Sequence, residues 1–193
     1  MDFSVEQWIN GPAGGVPLWD GLMKLVAGLA EPAFIVLVGA WFLVGWLRRR
    51  PRDRHGAIAA LLAALAALVV NQVIALFWQR PRPFVIHPGN VHLLLSHSTD
   101  ASFPSDHAAA AFAITTVLVV FHRRWGALAL LGAALVAYAR VYVGDHYPGD
   151  VAAGAVIGVL VALLLLTWLR PLPGLIVRVS DDLMGRLGLL KPG

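Results

Sequence analysis

The chain has 193 residues, 59% hydrophobic and only 13% charged, with a mean hydropathy of +0.73. A soluble domain of this length carries roughly a quarter charged residues, so the composition excludes that class and indicates a single membrane-embedded domain over residues 1–193. The lack of cysteine excludes disulfides, thiolate zinc sites and a cysteine nucleophile, and the net charge of +4 does not signal nucleic acid, because the basic residues cluster beside apolar runs.

In chain order, the N-terminus carries Asp2 and Glu6 rather than a basic n-region, which argues against a cleaved signal peptide. Trp19, Leu22, Met23, Val26 and Leu29 recur at helical spacing opposite Asp20 and Lys24. That predicts an interfacial helix ending near Glu31 and Pro32, with a sixth, kinked span as the competing reading. Five spans follow, centred on Ala33–Leu47, Gly56–Trp78 and Ala108–Phe121, then covering Trp125–Val143 and Val151–Leu169. The second reaches about 35 Å, enough to cross a hydrocarbon core of about 30 Å. The first and third are short and are expected to extend into flanking residues. All five are rich in Ala, Gly, Leu and Val, and small residues let membrane helices approach closely. After Pro171 a second amphipathic segment sets Leu183, Leu187 and Leu190 against Asp181, Asp182 and Arg186. The expected fold is an all-α membrane bundle of about five to six transmembrane helices with amphipathic ends.

Orientation follows from the basic residues. Eleven of the 15 Lys and Arg fall on one side of a five-span arrangement, in the segments after spans one, three and five. The positive-inside rule makes that side cytoplasmic. The other side keeps Lys24, Arg80, Arg82 and Arg140, so the polar clusters face outward.

Those clusters stand at the edges of apolar runs, where charged groups are costly. Arg80 and Arg82 close the second span within Arg80-Pro81-Arg82-Pro83-Phe84, and guanidinium forks match phosphate oxygens. Taken alone, two arginines snorkelling to headgroups are the simpler account, though the prolines stiffen the segment. Pro104-Ser105-Asp106-His107 opens the third span, where free N–H groups make an anion site, Ser105 adds a donor and His107 can supply a proton. An ordinary N-cap is the competing reading. Asp106 would repel a phosphate, so it must point away, pair with an arginine or orient a neighbour. Arg140 closes the fourth span, and His146 with Asp150 forms an i,i+4 pair that suits an oriented nucleophile or base. A structural hydrogen bond competes with that reading. Zinc on His107, His146 and Asp150 competes too, against the repulsion of three arginines. His87, His92, His97 and Asp100 lie in the loop between spans two and three.

This set resembles the type 2 phosphatidic acid phosphatase superfamily, whose pattern is Lys-x6-Arg-Pro, Pro-Ser-Gly-His and Ser-Arg-x5-His-x3-Asp. The match runs from about residue 71 to 150, in the same order. Ala75 stands in place of the lysine, Asp106 of the glycine and Ala139 of the serine. The run around Arg80–Val85 and Ser102–His107 is similar to bacterial undecaprenyl-diphosphate phosphatases linked to bacitracin resistance.

The resemblance implies a phosphatase needing no metal or cofactor. His146 would be the nucleophile forming a phosphohistidine, Asp150 its orienting partner and His107 the general acid. Arg82, Arg140 and Ser105 would hold the phosphate, with Arg80 substituting for the lysine and Asp106 beside the substrate. Expected partners are an isoprenoid or glycerolipid phosphate and the bilayer, with no nucleic acid and no obligate protein partner. The expected location is a bacterial inner membrane, with the site toward the periplasm. Competing functions are a broad phosphatidic acid or phosphatidylglycerol phosphate phosphatase and, in another class, a lipid-binding or transport protein.

Overall fold

The computed structural model describes residues 1–96, 99–168 and 171–186, so His97, Leu169, Leu187 and Leu190 of the readings above lie outside it. The elements are α1 (Asp2–Asn10), α2 (Pro17–Leu47), α3 (Pro51–Phe77), α4 (Pro83–Ile86), α5 (Asp106–Phe121), α6 (Arg123–Tyr142), α7 (Pro148–Trp168) and α8 (Pro171–Arg186). Helices α2, α3, α6 and α7 are long and apolar enough to cross a membrane, and α5 is a shorter apolar helix. Proline occupies the first turn of α2, α3 and α4, where the missing N–H costs no intrahelical bond.

One expectation needs correction. The residues before Pro32 form neither a separate interfacial helix nor a span of their own; they make the first half of α2, with Pro32 inside a continuous helix. Asp20, placed on the polar face, is buried: it accepts from the Tyr142 hydroxyl at 2.7 Å and from the N–H groups of Gly14 and Val16. Met23 and Ala27 pack with Ala139, Tyr142 and Val143 of α6 and its following turn. A helix of 31 residues is about 46 Å long and therefore overshoots a hydrocarbon core.

The centre of the bundle is built from alanine. Ala57, Ala60, Ala63, Ala64 and Ala67 line the buried face of α3 and meet Ala109, Ala113 and Val117 of α5. Across α5, a Cβ on Gly154 of α7 would stand 2.4 Å from the Ser105 carbonyl oxygen. One on Gly158 would stand 2.3 Å from that of Ala109. Helices α5 and α7 thus touch backbone to backbone, as small residues permit in lipid.

Two polar ties fix one end of the bundle. His122 Nε2 lies 2.8 Å from Asp53 Oδ1, and Arg52 donates to the Phe121 carbonyl at 3.3 Å. The α2–α3 and α5–α6 connections therefore meet, bringing the basic segments of both to the same end. The residues of the three clusters gather at the other. There Asn10 anchors α1, donating to the carbonyls of Tyr142 and His92 and accepting from the His92 N–H.

Candidate active site

His146 occupies the tight connection between α6 and α7 and is 3% exposed. Its Nδ1 lies 2.9 Å from the Ser102 carbonyl oxygen. A carbonyl only accepts, so Nδ1 carries the proton and Nε2 is left with its lone pair. Nε2 stands 3.4 Å from Arg82 Nη1 and 3.5 Å from Asp145 Oδ2. Burial pushes the His146 pKa below the ordinary 6.5, ahead of the opposing pull of Asp150 and Asp145.

Asp150, in the first turn of α7, is fully buried, and both its oxygens are engaged. One accepts from Arg80 Nη1 at 2.8 Å; the other takes the Ser102 hydroxyl and the Tyr147 N–H. Its distance to His146 Nδ1 is 3.6 Å, outside hydrogen-bond range. The carboxylate therefore reaches the imidazole through Ser102, which gives its hydroxyl to Asp150 and its carbonyl to His146.

A cavity of about 150 Å³ opens at His146, lined also by Arg82, Asp100, His107 and Arg140 and by Asn71, Gln72, Ala75 and Asp106. Arg82 precedes α4 and Arg140 ends α6; both are 4% exposed. Asp145 bridges them, with Oδ1 at 2.7 Å from Arg82 Nη1 and Oδ2 on Arg140 Nη2. Asp100 adds two hydrogen bonds to Arg82, at 3.0 and 3.1 Å. The Arg140 Nε is buried without a partner.

The second cluster divides. His107 faces the cavity from the first turn of α5. Ser105 is the N-cap, its hydroxyl accepting from the Ala108 N–H at 3.5 Å, and it is buried beneath the cavity rather than lining it. Asp106 is clasped by two amides of α3, from Asn71 Nδ2 and Gln72 Nε2, each at 2.9 Å. Of the three fates expected for this carboxylate, pairing with an arginine is not the one adopted. Among the described residues, no three His, Cys, Asp or Glu side chains converge as metal ligands.

Arg80 departs from expectation. It lies outside the cavity holding Arg82, between Asp150 and Asp2, with its guanidinium 3.7 Å over the Tyr147 ring. It borders instead a second, wider cavity of about 470 Å³ that shares Gln72, Ala75, Asp100 and Ala101 with the first. Of the loop histidines, His87 stacks on Phe3 at 3.6 Å, while His92 is held by its backbone to Asn10.

The sequence profile of the PAP2 superfamily matches residues 56–172, a stretch holding most of α3 and all of α4 to α7. The chain belongs to the PAP2 superfamily. Undecaprenyl-diphosphatase BcrC of Bacillus subtilis is 31% identical over 190 residues, 97% of this chain and 95% of the relative. The putative undecaprenyl-diphosphatase YbjG of Escherichia coli is 32% identical over 161 residues, 83% of this chain and 78% of the relative. Among solved structures, LpxE of Aquifex aeolicus superposes with a TM-score of 0.68 at 29% identity, covering 86% of this chain and 95% of that one. This PAP2 protein is thus a multi-pass membrane phosphatase.

Several residues around the candidate site escaped the motif reading: Asp145, Ser102, Asn71, Gln72, Tyr147 and Asp2. Two left a signal, since Asn71 and Gln72 are adjacent amides in an otherwise apolar span, where polar groups are costly.

Proposed function

We propose that this phosphatase hydrolyses a lipid diphosphate, undecaprenyl diphosphate, to the monophosphate and inorganic phosphate through a phosphohistidine on His146. The observation that carries the reading is the Nε2 lone pair of His146, fixed by the Ser102 carbonyl and facing a cavity edged by Arg82, Arg140 and His107. In the first step Nε2 bonds to the terminal phosphorus as the bridging P–O bond breaks. His107 gives its proton to the departing lipid phosphate. Water then attacks the phosphohistidine, returning its proton to His107 and releasing phosphate. Two buried guanidiniums supply the charge stabilisation that phosphoryl transfer requires.

The substrate class rests on the relatives and on the wider cavity beside the first, which gives the leaving lipid phosphate a route toward the exposed Leu76 face of α3. A second reading, a lipid monophosphate phosphatase, draws support from Arg80, because its engagement with Asp2 and Asp150 keeps it out of the small cavity and leaves Arg82 and Arg140 there without a third arginine for a second phosphate. Phosphate release by purified protein from undecaprenyl diphosphate, phosphatidic acid and phosphatidylglycerol phosphate, with EDTA present, separates them. Faster release from undecaprenyl diphosphate supports the first reading. Equal or faster turnover of the glycerolipids supports the second, and loss of activity in EDTA that zinc or magnesium restores moves the protein to metal-assisted chemistry.

A further inference from the structure

We propose that Asp2, at the start of α1, is a positioning residue that acts through Arg80 on Asp150 and so fixes His146 for attack. The inference rests on the reading of His146 as nucleophile and concerns what holds it there. Four contacts form the chain. Asp2 Oδ2 lies 2.7 Å from Arg80 Nη2, and Arg80 Nη1 lies 2.8 Å from Asp150 Oδ1. Asp150 takes the Ser102 hydroxyl, and the Ser102 carbonyl takes the His146 Nδ1 proton. Asp2 also accepts from the Gly149 N–H at 2.9 Å, gripping the same turn from its backbone.

Physical necessity supports each link. Asp150 is fully buried, and a buried carboxylate without a counter-charge is strongly destabilising. Arg80 supplies that charge. Half of its guanidinium, however, faces away from Asp150, with a side chain 26% exposed, and without Asp2 it is free to swing out. Asp2 closes that side and the Tyr147 ring closes the face, so the guanidinium has one orientation. Gly149 is part of the device. A Cβ there would stand 2.8 Å from Asp2 Oδ2, so a side chain at this position would push the carboxylate aside. A family motif cannot display the device, because it joins residues 2, 80 and 150 across three elements.

The test compares Asp2→Ala, Asp2→Glu, Arg80→Ala, the Asp2→Ala/Arg80→Ala double variant and Gly149→Ala, all full length in detergent. Steady-state turnover of undecaprenyl diphosphate, vanadate inhibition and thermal melts are measured for each. Asp2→Ala should lower kcat by about 10- to 100-fold, since misplacing a reacting group by up to about 1 Å has that effect. KM and the vanadate inhibition constant should stay within about twofold, because no phosphate contact is lost. Gly149→Ala should reproduce this split by displacing Asp2 without removing its charge, and Asp2→Glu should recover part of kcat. The double variant should be no slower than Arg80→Ala alone, as expected of residues acting in series. Unchanged kcat in both Asp2→Ala and Gly149→Ala would overturn the proposal, as would independent losses that multiply in the double variant. A rise in KM and weaker vanadate inhibition in Arg80→Ala, with kcat kept, would make Arg80 a phosphate ligand instead. Failure of the nucleophile assignment is separable: it would show as activity surviving in His146→Ala, whatever Asp2 does.

Discussion

The Ser102 carbonyl oxygen lies 2.9 Å from His146 Nδ1, closer than the 3.6 Å that separates this nitrogen from Asp150. The backbone therefore sets the tautomer, and the carboxylate sets the backbone. The proposed attack requires a neutral imidazole, and burial lowers its pKa below the ordinary 6.5. Activity should then be lost only as pH falls through that depressed value. A profile of kcat/KM against pH, which reports the free enzyme, should have its acidic limb below 6.5. A limb at or above 6.5 would contradict the burial argument.

Removing the proposed nucleophile gives a sharper result. His146→Ala should abolish turnover while the protein still melts cooperatively, because oriented nucleophiles account for several orders of magnitude. His107→Ala should slow lipid substrates strongly and aryl phosphates much less, since a good leaving group needs no proton. Retention of more than about a few per cent of activity by His146→Ala would end the phosphohistidine assignment.

Gly158 tests the packing that brings the two histidines together. A side chain there meets the backbone of α5 at 2.3 Å, and Ser105 N–H already donates to the Asp150 carbonyl at 3.1 Å across the same seam. Gly158→Leu should reduce stability by about 1–3 kcal/mol and activity by much more. Melts and assays on the same sample decide it, and wild-type activity in a folded Gly158→Leu protein would show the seam to be dispensable.

Topology is open to a direct experiment because the chain has no cysteine. Single cysteines at Arg50 and His92, both exposed positions, stand at opposite ends of the bundle. An impermeant thiol reagent on intact cells should label position 92 and spare position 50. The reverse pattern would put the site on the cytoplasmic face.

Glu6 makes stability depend on pH. It is fully buried, neither of its oxygens has a hydrogen-bond partner, and burial raises its pKa from the ordinary 4.5 to about 7. Between those values the folded protein holds a proton that the unfolded chain releases, so this residue erodes stability as pH rises toward 7. Melting temperature should fall across that window more steeply in the native protein than in Glu6→Gln. Parallel curves would mean that Glu6 is hydrated.

Much of the fold was legible because apolar runs and basic segments are local signals. Pro32 misled, since a proline ends most helices in water. Within α2 the chain continues past it, as neighbouring helices and local adjustment make possible in membranes. The cluster residues His146, His107, Arg82 and Arg140 do meet around one cavity. Arg80 and Arg82 were read as a pair, but prolines on either side hold this segment extended, and Arg82 sits at φ −70°, ψ 155°. In that polyproline-like geometry a three-residue turn sends side chains two apart in different directions. Asp145 and Ser102 carried no signal, because their roles come from contacts across 63 and 44 residues of chain.

The bridge made by Asp145 bears on how fast the enzyme lets go. Arg82 and Arg140 bring two positive charges to the cavity, and Asp145 with Asp100 already sits on them, so both guanidiniums are paired before any ligand arrives. A phosphate entering such a cradle must compete with carboxylates already seated on the same guanidiniums, and it gains less than it would from bare arginines. The discount applies equally to the free phosphate left after hydrolysis. On the proposed lipid substrate, an enzyme so built should resist being clogged by its own inorganic product and hold more firmly the species whose lipid tail adds a second grip.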